Sequence, residues 1–365
     1  MKTKPKRKEL PIDFVIPYVC GDDPVWVEKM LSFLPDDRKR DPDMDRQYRN
    51  WDFFKYWFRG VDRFAPWVHK VFVITDHQAP DWLDHENEKL VLINHEDYIP
   101  PEYLPVFSSH PIELNLHRIP GLSEQFVYFN DDMVLTAPVV PEDFFRDGLP
   151  CDFAIEQENG ASDRLFSHIV TNDILFLNRH YSRKEYISGN RKKHYSPVVP
   201  TGAVKNFYLS FYRRKRGGFL GFYYNHVASS YLKTTFSEVW EEDTEGWLDE
   251  TCSHRFRSSD DVNQYVFKQH QYVRGLYSPY NWHKKSKFIK LRDGENGTLT
   301  EAAAAIGSGN YKLICLNDSY VHDFQTAKSV INDALSALFP DPCSFEKEIH
   351  QGNTISEQQN AGEVK

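Results

Sequence analysis

The sequence has few of the features that mark membrane proteins, disulfide-bonded secreted proteins or zinc proteins. Its five cysteines (Cys20, Cys151, Cys252, Cys315 and Cys343) are odd in number, widely spaced and without a CxxC pair. This pattern is typical of reduced thiols and argues against a structural zinc site, so we expect oxygen atoms to hold any metal. No stretch approaches the roughly 20 apolar residues that a membrane-spanning helix requires.

The amino terminus lacks the pattern of a secretion signal. The first eight residues, MKTKPKRK, carry five Lys or Arg, but Pro11 and Asp13 interrupt the apolar run that a signal peptide needs. We therefore expect a cytoplasmic protein in which residues 1–10 form a solvated basic tail. A weak attraction of this tail to the anionic inner face of the cell membrane is the alternative.

An excess of positive charge and several familiar catalytic motifs are also missing. The formal net charge of -9 argues against a general nucleic-acid binder, which needs a basic face. The sequence contains no GxxxxGK[ST] phosphate loop, no HExxH zinc pair and no GxSxG turn. It is instead rich in aromatic residues (15%), which either fill the core or provide stacking platforms for sugars or bases.

The order of apolar segments predicts an α/β fold with a mainly parallel sheet, flanking helices and a helical or irregular carboxyl-terminal portion. Apolar runs of strand length occur at 12–19, 69–76, 89–97, 126–135 and 311–318, with short candidates at 151–156 and 173–178. Helical spacing occurs at 44–64, 109–119 and 256–273, and after Pro24. Because strands and helices alternate early in the chain, we expect the strands to be parallel.

A single domain is expected over residues 11–340, followed by a frayed polar tail at 350–365. The basic and aromatic segment 183–220 has two open interpretations. It is either a flexible flap over a substrate cleft or a surface excursion.

The segment FVYFNDDMVL carries the most informative acidic residues. An apolar strand leads directly into Asn130-Asp131-Asp132, and carboxylates are costly to bury without a partner. Open α/β proteins place ligand sites at the carboxyl ends of strands, and Mg²⁺ or Mn²⁺ prefers oxygen ligands. The turn is therefore either a metal site built on Asp131 and Asp132 or an Asx turn in a hairpin.

Other acidic residues occur in and after the first apolar run. Asp13 lies inside this run, and Asp22 and Asp23 follow it. At the end of a strand they could meet the ribose of a nucleotide or a metal ion. The alternative is that they only form a turn.

Further candidates are separated along the chain. Glu113 and His117 are four residues apart, as on one helical face, and such a pair is more often on a helix surface than in a catalytic site. His226 lies among aromatic residues, where a single histidine is also usually structural. Arg255 and Arg257 precede a Ser-Ser-Asp-Asp sequence, which is either an anion site at a helix start or an ordinary N-cap with surface arginines.

Four segments within residues 11–275 together resemble the Stealth family of phosphotransferases, which includes bacterial capsular and exopolysaccharide phosphotransferases. The animal N-acetylglucosamine-1-phosphotransferase is similar. The first segment is IDFVIPYVCGDDPVW. The second runs from YRNWDFFKYWFRGVDRFAPWVHKVFVITDHQAPDWL through LPVFSSHPIELNLHRIPGLSEQFVYFNDDMVL. The others are NHVASSYLKTTFSEVW and SHRFRSSDDVNQYVF, similar to the histidine region and the arginine-and-acid region of the family.

Three positions depart from the pattern of the family. Cys20 and Phe53 stand where the family has acidic residues, and Lys55 stands where it has an arginine. Asp23 and Asp52 match the pattern. The departure at Cys20 removes one contact that the family would offer to a nucleotide or a metal.

The resemblance implies a fold similar to nucleotide-sugar transferases (GT-A-like), with a nucleotide-sugar and metal half at 11–150 and an acceptor and catalytic half at 151–340. It implies a UDP-sugar donor (UDP-N-acetylhexosamine or UDP-hexose), a glycan acceptor and Mg²⁺ or Mn²⁺. An acceptor hydroxyl would attack the β-phosphorus, forming a phosphodiester and releasing UMP. Such phosphoryl transfer depends mainly on positioning and charge neutralisation.

The resemblance also implies roles for residues. Those predicted from it are Asp131 and Asp132 for the metal; His226, Arg257, Asp260, Asp261 and Arg49 for catalysis; and Asp13, Asp22, Asp23, Asp52, Asn130 and Arg118 for the donor. His226 would be the general base, and Asp260 or Asp261 would orient it or bind a second metal ion. Arg257, with Arg49 or Arg118, would offset phosphate charge.

Three other functions remain open from the sequence. A glycosyltransferase could use the same acidic turn but attack the anomeric carbon and release UDP. A carbohydrate-binding protein would bind sugars without turnover. A metal-dependent phosphodiesterase would share the acidic residues but need no nucleotide sugar.

Overall fold

The computed structural model describes residues 10–35, 48–160, 162–213, 217–224, 226–294 and 297–348. The strands are β1 (Ile12–Pro17), β2 (Val71–Thr75), β3 (Leu90–Asn94), β4 (Gln125–Tyr128), β5 (Met133–Leu135), β6 (Phe145–Arg146), β7 (Leu149–Asp152), β8 (Ser229–Leu232), β9 (Ser278–Pro279), β10 (Ser286–Arg292) and β11 (Leu313–Tyr320).

Helices surround these strands on several sides. They are α1 (Pro24–Phe33), α2 (Phe53–Phe64), α3 (Ser109–Leu114), α4 (Pro141–Phe144), α5 (Leu165–His180), α6 (Arg183–His194), α7 (Pro200–Tyr212), α8 (Lys233–Glu242), α9 (Trp247–Ser253), α10 (Tyr265–Val273), α11 (Leu299–Gly307) and α12 (Phe324–Leu338). No helix within the described ranges is long and apolar enough to cross a membrane.

A five-stranded sheet in the order β3-β2-β1-β4-β8 forms the centre of the fold. The first four strands pair in parallel, and only β8 is antiparallel to its neighbour. This arrangement confirms the predicted α/β fold with a mainly parallel sheet. The carboxyl ends of β1, β2, β3 and β4 therefore meet at one edge.

A second sheet, in the order β10-β11-β5, lies beside the first. The chain leaves the central sheet at the end of β4 and enters the second sheet at β5, so the Asn130–Asp132 turn joins the two. The backbone N–H of Leu316 on β11 donates to the carbonyl oxygen of Asp132 at 2.7 Å. This bond fixes the turn against a strand that lies almost 200 residues later in the sequence.

Aromatic side chains fill the core on both faces of the central sheet. On one face, α2 buries Trp57, Phe58 and Val61 completely. Gly60 lets this helix approach β5 closely, because a Cβ atom there would lie 2.9 Å from the carbonyl oxygen of Leu135. The prediction that rings mainly fill the core is confirmed for these residues.

Several predicted elements were wrong in type or extent. Residues 173–178 belong to helix α5 and not to a strand, because a short apolar run does not by itself distinguish the two. The helix predicted at 256–273 begins only at Tyr265, since side-chain bonds around Ser258 hold the preceding residues in turns. The described part of the segment 183–220 consists mainly of α6 and α7, and the choice between a flap and a surface excursion stays open.

Some predictions fall outside the described residues. They include the tail at 1–10 except for Leu10, the first four residues of the helix predicted at 44–64, and the tail at 350–365. The described part of the 44–64 helix is α2, which begins at Phe53.

Candidate active site

The Asn130-Asp131-Asp132 turn lies where the carboxyl edge of the central sheet meets the second sheet. β4 ends at Tyr128 and β5 begins at Met133, so the turn consists of the residues between two completely buried strands. This geometry explains why carboxylates follow an apolar run here. They lie at the edge where open α/β folds bind ligands.

Asp132 is surrounded by side chains from distant segments. His226 Nε2 lies 3.4 Å from Asp132 Oδ2, and Asn317 Nδ2 donates to the same oxygen at 3.3 Å. Asp132, His226 and Cys315 each offer one ligand atom, and these atoms all lie within 4.8 Å of one another. The structure therefore brings together the predicted Asp132 and His226, and it adds Cys315 and Asn317.

The hydrogen bonds around Asp132 determine its charge and that of His226. Burial alone would raise the pKa of Asp132, but hydrogen bonds from His226, Cys315 and Asn317 hold this pKa below its usual value. Burial disfavours the protonated imidazole, but the hydrogen bond to Asp132 and its charge raise the pKa of His226 above its usual value. The two groups stabilise each other as an ion pair.

The pKa of Asp131 shifts in the opposite direction from that of Asp132. Desolvation, followed by the negative charge of Asp132, raises the pKa of Asp131 to about 6. Asp131 is nevertheless exposed to solvent, so water screens much of this effect. A cation bound beside Asp131 and Asp132 would favour the ionised form of both carboxylates, because it offsets the repulsion between them.

The residues around the turn fit an oxygen-preferring divalent cation. Asp132 Oδ1 is buried and has no hydrogen-bond partner within the described residues. Burial raises the pKa of the Cys315 thiol well above its usual value, so the thiol is neutral without a metal ion. Oxygen atoms of Asp131 and Asp132 are therefore the suitable ligands, as Mg²⁺ or Mn²⁺ would require.

Glu113 belongs to the site, although the sequence pattern favoured a position on a helix surface for it. It lies on α3, is 5% exposed, and accepts a hydrogen bond from the Tyr128 hydroxyl at 3.3 Å. Burial raises the pKa of Glu113 to about 7, although the positive charge of Arg257 opposes this change. The charge of Glu113 also acts on His226, so the two groups belong to one electrostatic cluster.

The sequence contained one signal for Glu113. The surrounding segment is apolar on several sides, and α3 buries Pro111 and Leu114 together with Glu113. The expected surface pair with His117 is wrong, because Glu113 is buried. His117 instead lies near the rings of Phe236 and Trp240.

Arg257 lies in the loop between α9 and α10 and reaches the same cluster. Its guanidinium donates to Ser109 Oγ at 3.2 Å, and its positive charge lowers the pKa of both Glu113 and Asp131. Since α3 follows Ser108, this contact ties the arginine loop to the start of the helix that carries Glu113. The predicted phosphate-binding arginine therefore lies beside the acidic turn.

Asp261 supports the arginine loop and does not contact His226. Its two carboxylate oxygens lie 2.7 Å from His110 Nδ1 and from His254 Nδ1, and it accepts the backbone N–H of Ser258. The prediction that Asp261 orients His226 is corrected by these contacts, because both oxygens face other groups. The neighbouring Asp260 is exposed, and its backbone N–H is bound by Ser258 Oγ.

Two predicted residues lie along one side of the site. Arg49 Nη1 donates to the carbonyl of Val321 at 3.1 Å and lies 3.5 Å from Asp318, the residue after Asn317. Asp52 begins α2 and pairs with Lys328 at 2.6 Å. Arg49 therefore adjoins the cluster around Asp132 through β11, whereas Asp52 is held by α12.

Asp22 and Asp23 lie in the turn after β1, at the same edge of the sheet. Asp23 caps α1 by accepting the backbone N–H of Val25, and Gln78 donates to its other oxygen at 2.9 Å. Asp22 is exposed. Both positions remain available to a bound donor.

Asp13 and Arg118 are not brought to this edge. Asp13 is the second residue of β1, at the amino end of the sheet, where it accepts the backbone N–H of Ser123 at 2.7 Å and lies 2.7 Å from His69. Arg118 is exposed and lies over the ring of Trp240. The register of the sheet therefore places both far from the carboxyl ends of the strands.

A groove of about 680 Å³ opens between α2 and α12. One wall consists of the rings of Tyr18, Phe54 and Trp82. The ring centroids of Tyr18 and Phe54 lie 4.5 Å apart, and those of Phe54 and Trp82 lie 6.1 Å apart. The opposite wall is polar and is formed by residues of α12, namely Gln325, Lys328, Ser329, Asn332 and Asp333. Rings facing amides and hydroxyls form a surface suited to sugars.

The groove and the acidic turn are neighbours in the fold. Val15 on β1 pairs with Tyr128 on β4. Tyr18 and Asp131 each lie three residues beyond this pair, past the ends of the two adjacent parallel strands. A substrate that fills the groove could therefore extend toward the turn.

Two regions of the chain match models of one protein family. Residues 47–152 match Stealth protein CR2, conserved region 2, and residues 305–356 match Stealth protein CR4, conserved region 4. The first region contains α2, α3 and the acidic turn. The second contains β11, with Cys315 and Asn317, and the polar wall of the groove.

Similar proteins cover almost the whole chain. The receptor polysaccharide phosphotransferase WefC of Streptococcus oralis is 38% identical over 92% of this chain and 99% of its own length. The capsular polysaccharide phosphotransferase WcwK of Streptococcus pneumoniae is 39% identical over the same shares of the two chains. The exopolysaccharide phosphotransferase cps2G of Lactiplantibacillus plantarum is 32% identical over 92% of this chain and 96% of its own.

Solved structures show only a distant likeness. The galactosyltransferase LgtC has a TM-score of 0.37 and is 10% identical, covering 90% of this chain and 97% of its own. Mouse xyloside xylosyltransferase 1 has a TM-score of 0.35 and is 10% identical, covering 84% and 97%. Likenesses of this size give no information about the reaction.

Proposed function

The chain belongs to the Stealth family of polysaccharide phosphotransferases, and on this premise we propose that it transfers a sugar-1-phosphate from a UDP-sugar to a hydroxyl of a glycan. One observation carries the proposal. An acidic turn, a histidine with a raised pKa and an arginine converge at the carboxyl end of β4. This combination suits phosphoryl transfer, in which positioning and charge neutralisation dominate.

The bonds that change involve the donor diphosphate and the acceptor hydroxyl. The acceptor oxygen forms a bond to the β-phosphorus, and the bond from that phosphorus to the bridging oxygen of the diphosphate breaks. UMP leaves with this oxygen, and the product is a phosphodiester between two sugars. The hydroxyl proton must be taken up by a base near the acidic turn.

Asp131 and Asp132 are the residues that would hold a divalent cation. When bound there, Mg²⁺ or Mn²⁺ would offset the negative charge of the diphosphate. The buried Oδ1 of Asp132, which has no hydrogen-bond partner among the described residues, supports an ion of this oxygen-preferring type. Asn317 would keep the carboxylate of Asp132 in place by its hydrogen bond.

His226 is the general base in this proposal. Its ring is partly exposed and is held through Nε2 by Asp132, as a base oriented toward a substrate requires. Only the fraction of His226 that is neutral would accept the hydroxyl proton, because the ion pair with Asp132 favours the protonated ring. Asp132 would then stabilise the imidazolium that results. The raised pKa of Glu113 makes this neighbour a second group able to hold a proton near neutral pH.

Arg257 neutralises phosphate charge. Its loop is supported by Asp261 and its guanidinium is held by Ser109, so the charge is preorganised before a substrate binds. Asp22, Asp23 and Asn130 lie at the same edge of the sheet, where they would contact the donor. Arg49 and Asp52 lie on the side of the groove.

The groove between α2 and α12 is where we place the acceptor glycan. Its ring wall would stack against sugar faces, and its polar wall would bind their hydroxyls. The mixed charges of Lys328 and Asp333 provide both donors and acceptors. The position of the groove beside the turn suits a chain that extends to the reacting hydroxyl.

Asparagine substitutions in the acidic turn test the proposal. Asp131→Asn and Asp132→Asn keep the shape of each side chain but remove its charge. We expect each to lower kcat/KM by about 10²-fold or more, because the charge of the diphosphate is no longer offset. The measurement is transfer of labelled sugar phosphate from a UDP-sugar, with circular dichroism as a check of folding.

The matched control is Asp341→Asn, an exposed aspartate after α12. We expect it to retain the activity of the unchanged protein. Full activity of Asp132→Asn, with the same dependence on Mg²⁺, would contradict the assigned role of the turn.

A further inference from the structure

Helix α7 presents a continuous group of large apolar side chains to solvent. Val204 is 69% exposed, Phe207 66%, Tyr208 62%, Phe211 64% and Tyr212 61%. Their spacing places all five on one side of the helix. We call this group the aromatic face of α7.

The opposite side of α7 is fixed to the protein. Asn206 is buried, and its Nδ2 donates to the carbonyl oxygens of Ala154 and His194, each at 2.8 Å. At Gly202 the helix approaches so closely that a Cβ atom would lie 2.8 Å from the side chain of Ile155. The orientation of the helix is therefore set by its buried side, and the aromatic face is held outward.

Positive charge lies beside the aromatic face, at the end of α6 and on α7. Residues 179–213 contain eight Lys or Arg and one acidic residue, whereas the whole chain has a formal net charge of -9. Arg191 and Lys192, at the end of α6, are exposed, as is Lys205 on α7. The ring centroid of Tyr195 lies 6.4 Å from that of Phe207, which places the end of α6 beside the aromatic face.

We propose that the aromatic face of α7 and the basic residues beside it dock on a bilayer that contains anionic lipids. Phenylalanine and tyrosine suit the boundary between headgroups and acyl chains, and lysine and arginine are attracted to anionic headgroups. A second copy of the chain is a poorer occupant, because a symmetric contact would bring the basic residues of both copies together. This inference does not depend on the proposed reaction.

Co-flotation of the full chain with vesicles tests the proposal. We expect the protein to float with vesicles of phosphatidylcholine mixed with phosphatidylglycerol, to bind less at high salt, and to bind far less to pure phosphatidylcholine. Phe207→Ser combined with Tyr208→Ser should lower the partition onto the anionic vesicles about tenfold or more. Phe207→Trp combined with Tyr208→Phe, which keeps the rings, should bind as well as the unchanged protein.

A matched pair of valines separates the aromatic face from exposed apolar surface in general. Val204 is 69% exposed on α7 and Val25 is 75% exposed on α1. We expect Val204→Ser to weaken vesicle binding and Val25→Ser to leave it unchanged. Thermal denaturation of every variant shows whether a lost interaction reflects lost folding.

Two results would overturn the proposal. One is that the folded protein does not float with anionic vesicles, or floats equally well after the Phe207 and Tyr208 substitutions. The other is that light scattering finds a dimer that these substitutions dissociate, with no vesicle binding by the unchanged protein. The occupant of the aromatic face would then be a second copy.

Discussion

Asp132 and His226 show how the fold prepares single residues for chemistry. They are 94 positions apart in the sequence, yet Asp132 Oδ2 and His226 Nε2 lie 3.4 Å apart and each stabilises the charge of the other. The carboxylate is also held by Asn317, so it cannot turn away from the site. In the proposed reaction, this restraint would orient both the metal ligand and the base.

Glu113 makes the stability of the protein depend on pH. Burial raises its pKa from the ordinary value of 4.5 to about 7, so the folded state binds the proton more tightly than the unfolded state. Stability is therefore largest at low pH and falls as the pH rises through 7. This single group should lower the free energy of unfolding by roughly 3 kcal/mol between about pH 5 and about pH 8.

Glu113→Gln tests this expectation, because glutamine resembles the neutral carboxyl at every pH. We expect urea denaturation at several pH values to show a smaller decline for this variant than for the unchanged protein. Glu142→Gln, at an exposed position, should keep the original decline. An unchanged pH dependence in Glu113→Gln would contradict the assigned pKa.

At the scale of residues, the sequence predicted the acidic turn but not most of its neighbours. The turn was recognisable because two carboxylates interrupt an apolar strand. Cys315, Asn317 and Glu113 could not be predicted, since strand pairing and helix packing bring them there from distant positions. Asp13 was placed at the site, although its position near the start of the first strand already indicated the opposite end of the sheet.

The loop between α9 and α10 is an element whose shape depends on one buried carboxylate. Asp261 is completely buried and bonds both His110 and His254, while Arg257 extends from the same loop. We therefore regard Asp261 as a positioning residue that acts through Arg257. Its loss would leave two imidazoles without their acceptor.

A double-mutant cycle tests the coupling of Asp261 to Arg257. We expect Asp261→Asn to lower kcat about tenfold. In the otherwise unchanged protein, Arg257→Gln should lower kcat by more than about tenfold. In the combined variant the two effects should not add, because a displaced loop no longer presents the arginine. Asp249→Asn, in α9, is the control and should retain normal kcat. Fully additive losses in the logarithm of kcat would contradict the positioning role.

The groove between α2 and α12 leads to a separate prediction about substrate binding. Gln325 and Asp333 are exposed on its polar wall. Gln325→Ala combined with Asp333→Ala should raise KM for the glycan acceptor about tenfold, equal to about 1.4 kcal/mol of lost hydrogen bonding. KM for the UDP-sugar should not change.

Steady-state kinetics with each substrate varied in turn makes this measurement. Asp341→Ala, just beyond the end of α12, is the matched control. A rise in KM for the UDP-sugar alone would mean that the donor fills the groove instead.

Elements with regular patterns were the easiest to predict. The parallel strands were predicted from the apolar runs, because strands that are buried on both faces are almost entirely apolar. The chain from 150 onward was harder, because α5 contains a short apolar run that resembles a strand and because Asp261 replaces helical bonds with turns. The helix and strand propensities of individual residues do not account for such tertiary contacts.

At the scale of the whole molecule, the site draws on both ends of the chain. The acidic turn, Glu113 and the ring wall of the groove come from the first half, predicted at 11–150. His226, Arg257, β11 and the polar wall come from the second half, predicted at 151–340. A division into a donor half and an acceptor half therefore stays a prediction, and the residues of the turn would act where the halves meet.

The identity of the released nucleotide tests the central claim most directly. The unchanged protein would be incubated with Mg²⁺, a glycan acceptor and a UDP-N-acetylhexosamine or UDP-hexose, and the products followed by phosphorus NMR. The account predicts UMP in equal amount to a new phosphodiester signal, and neither product with Asp132→Asn. Release of UDP without a phosphodiester would contradict it and would identify a glycosyltransferase.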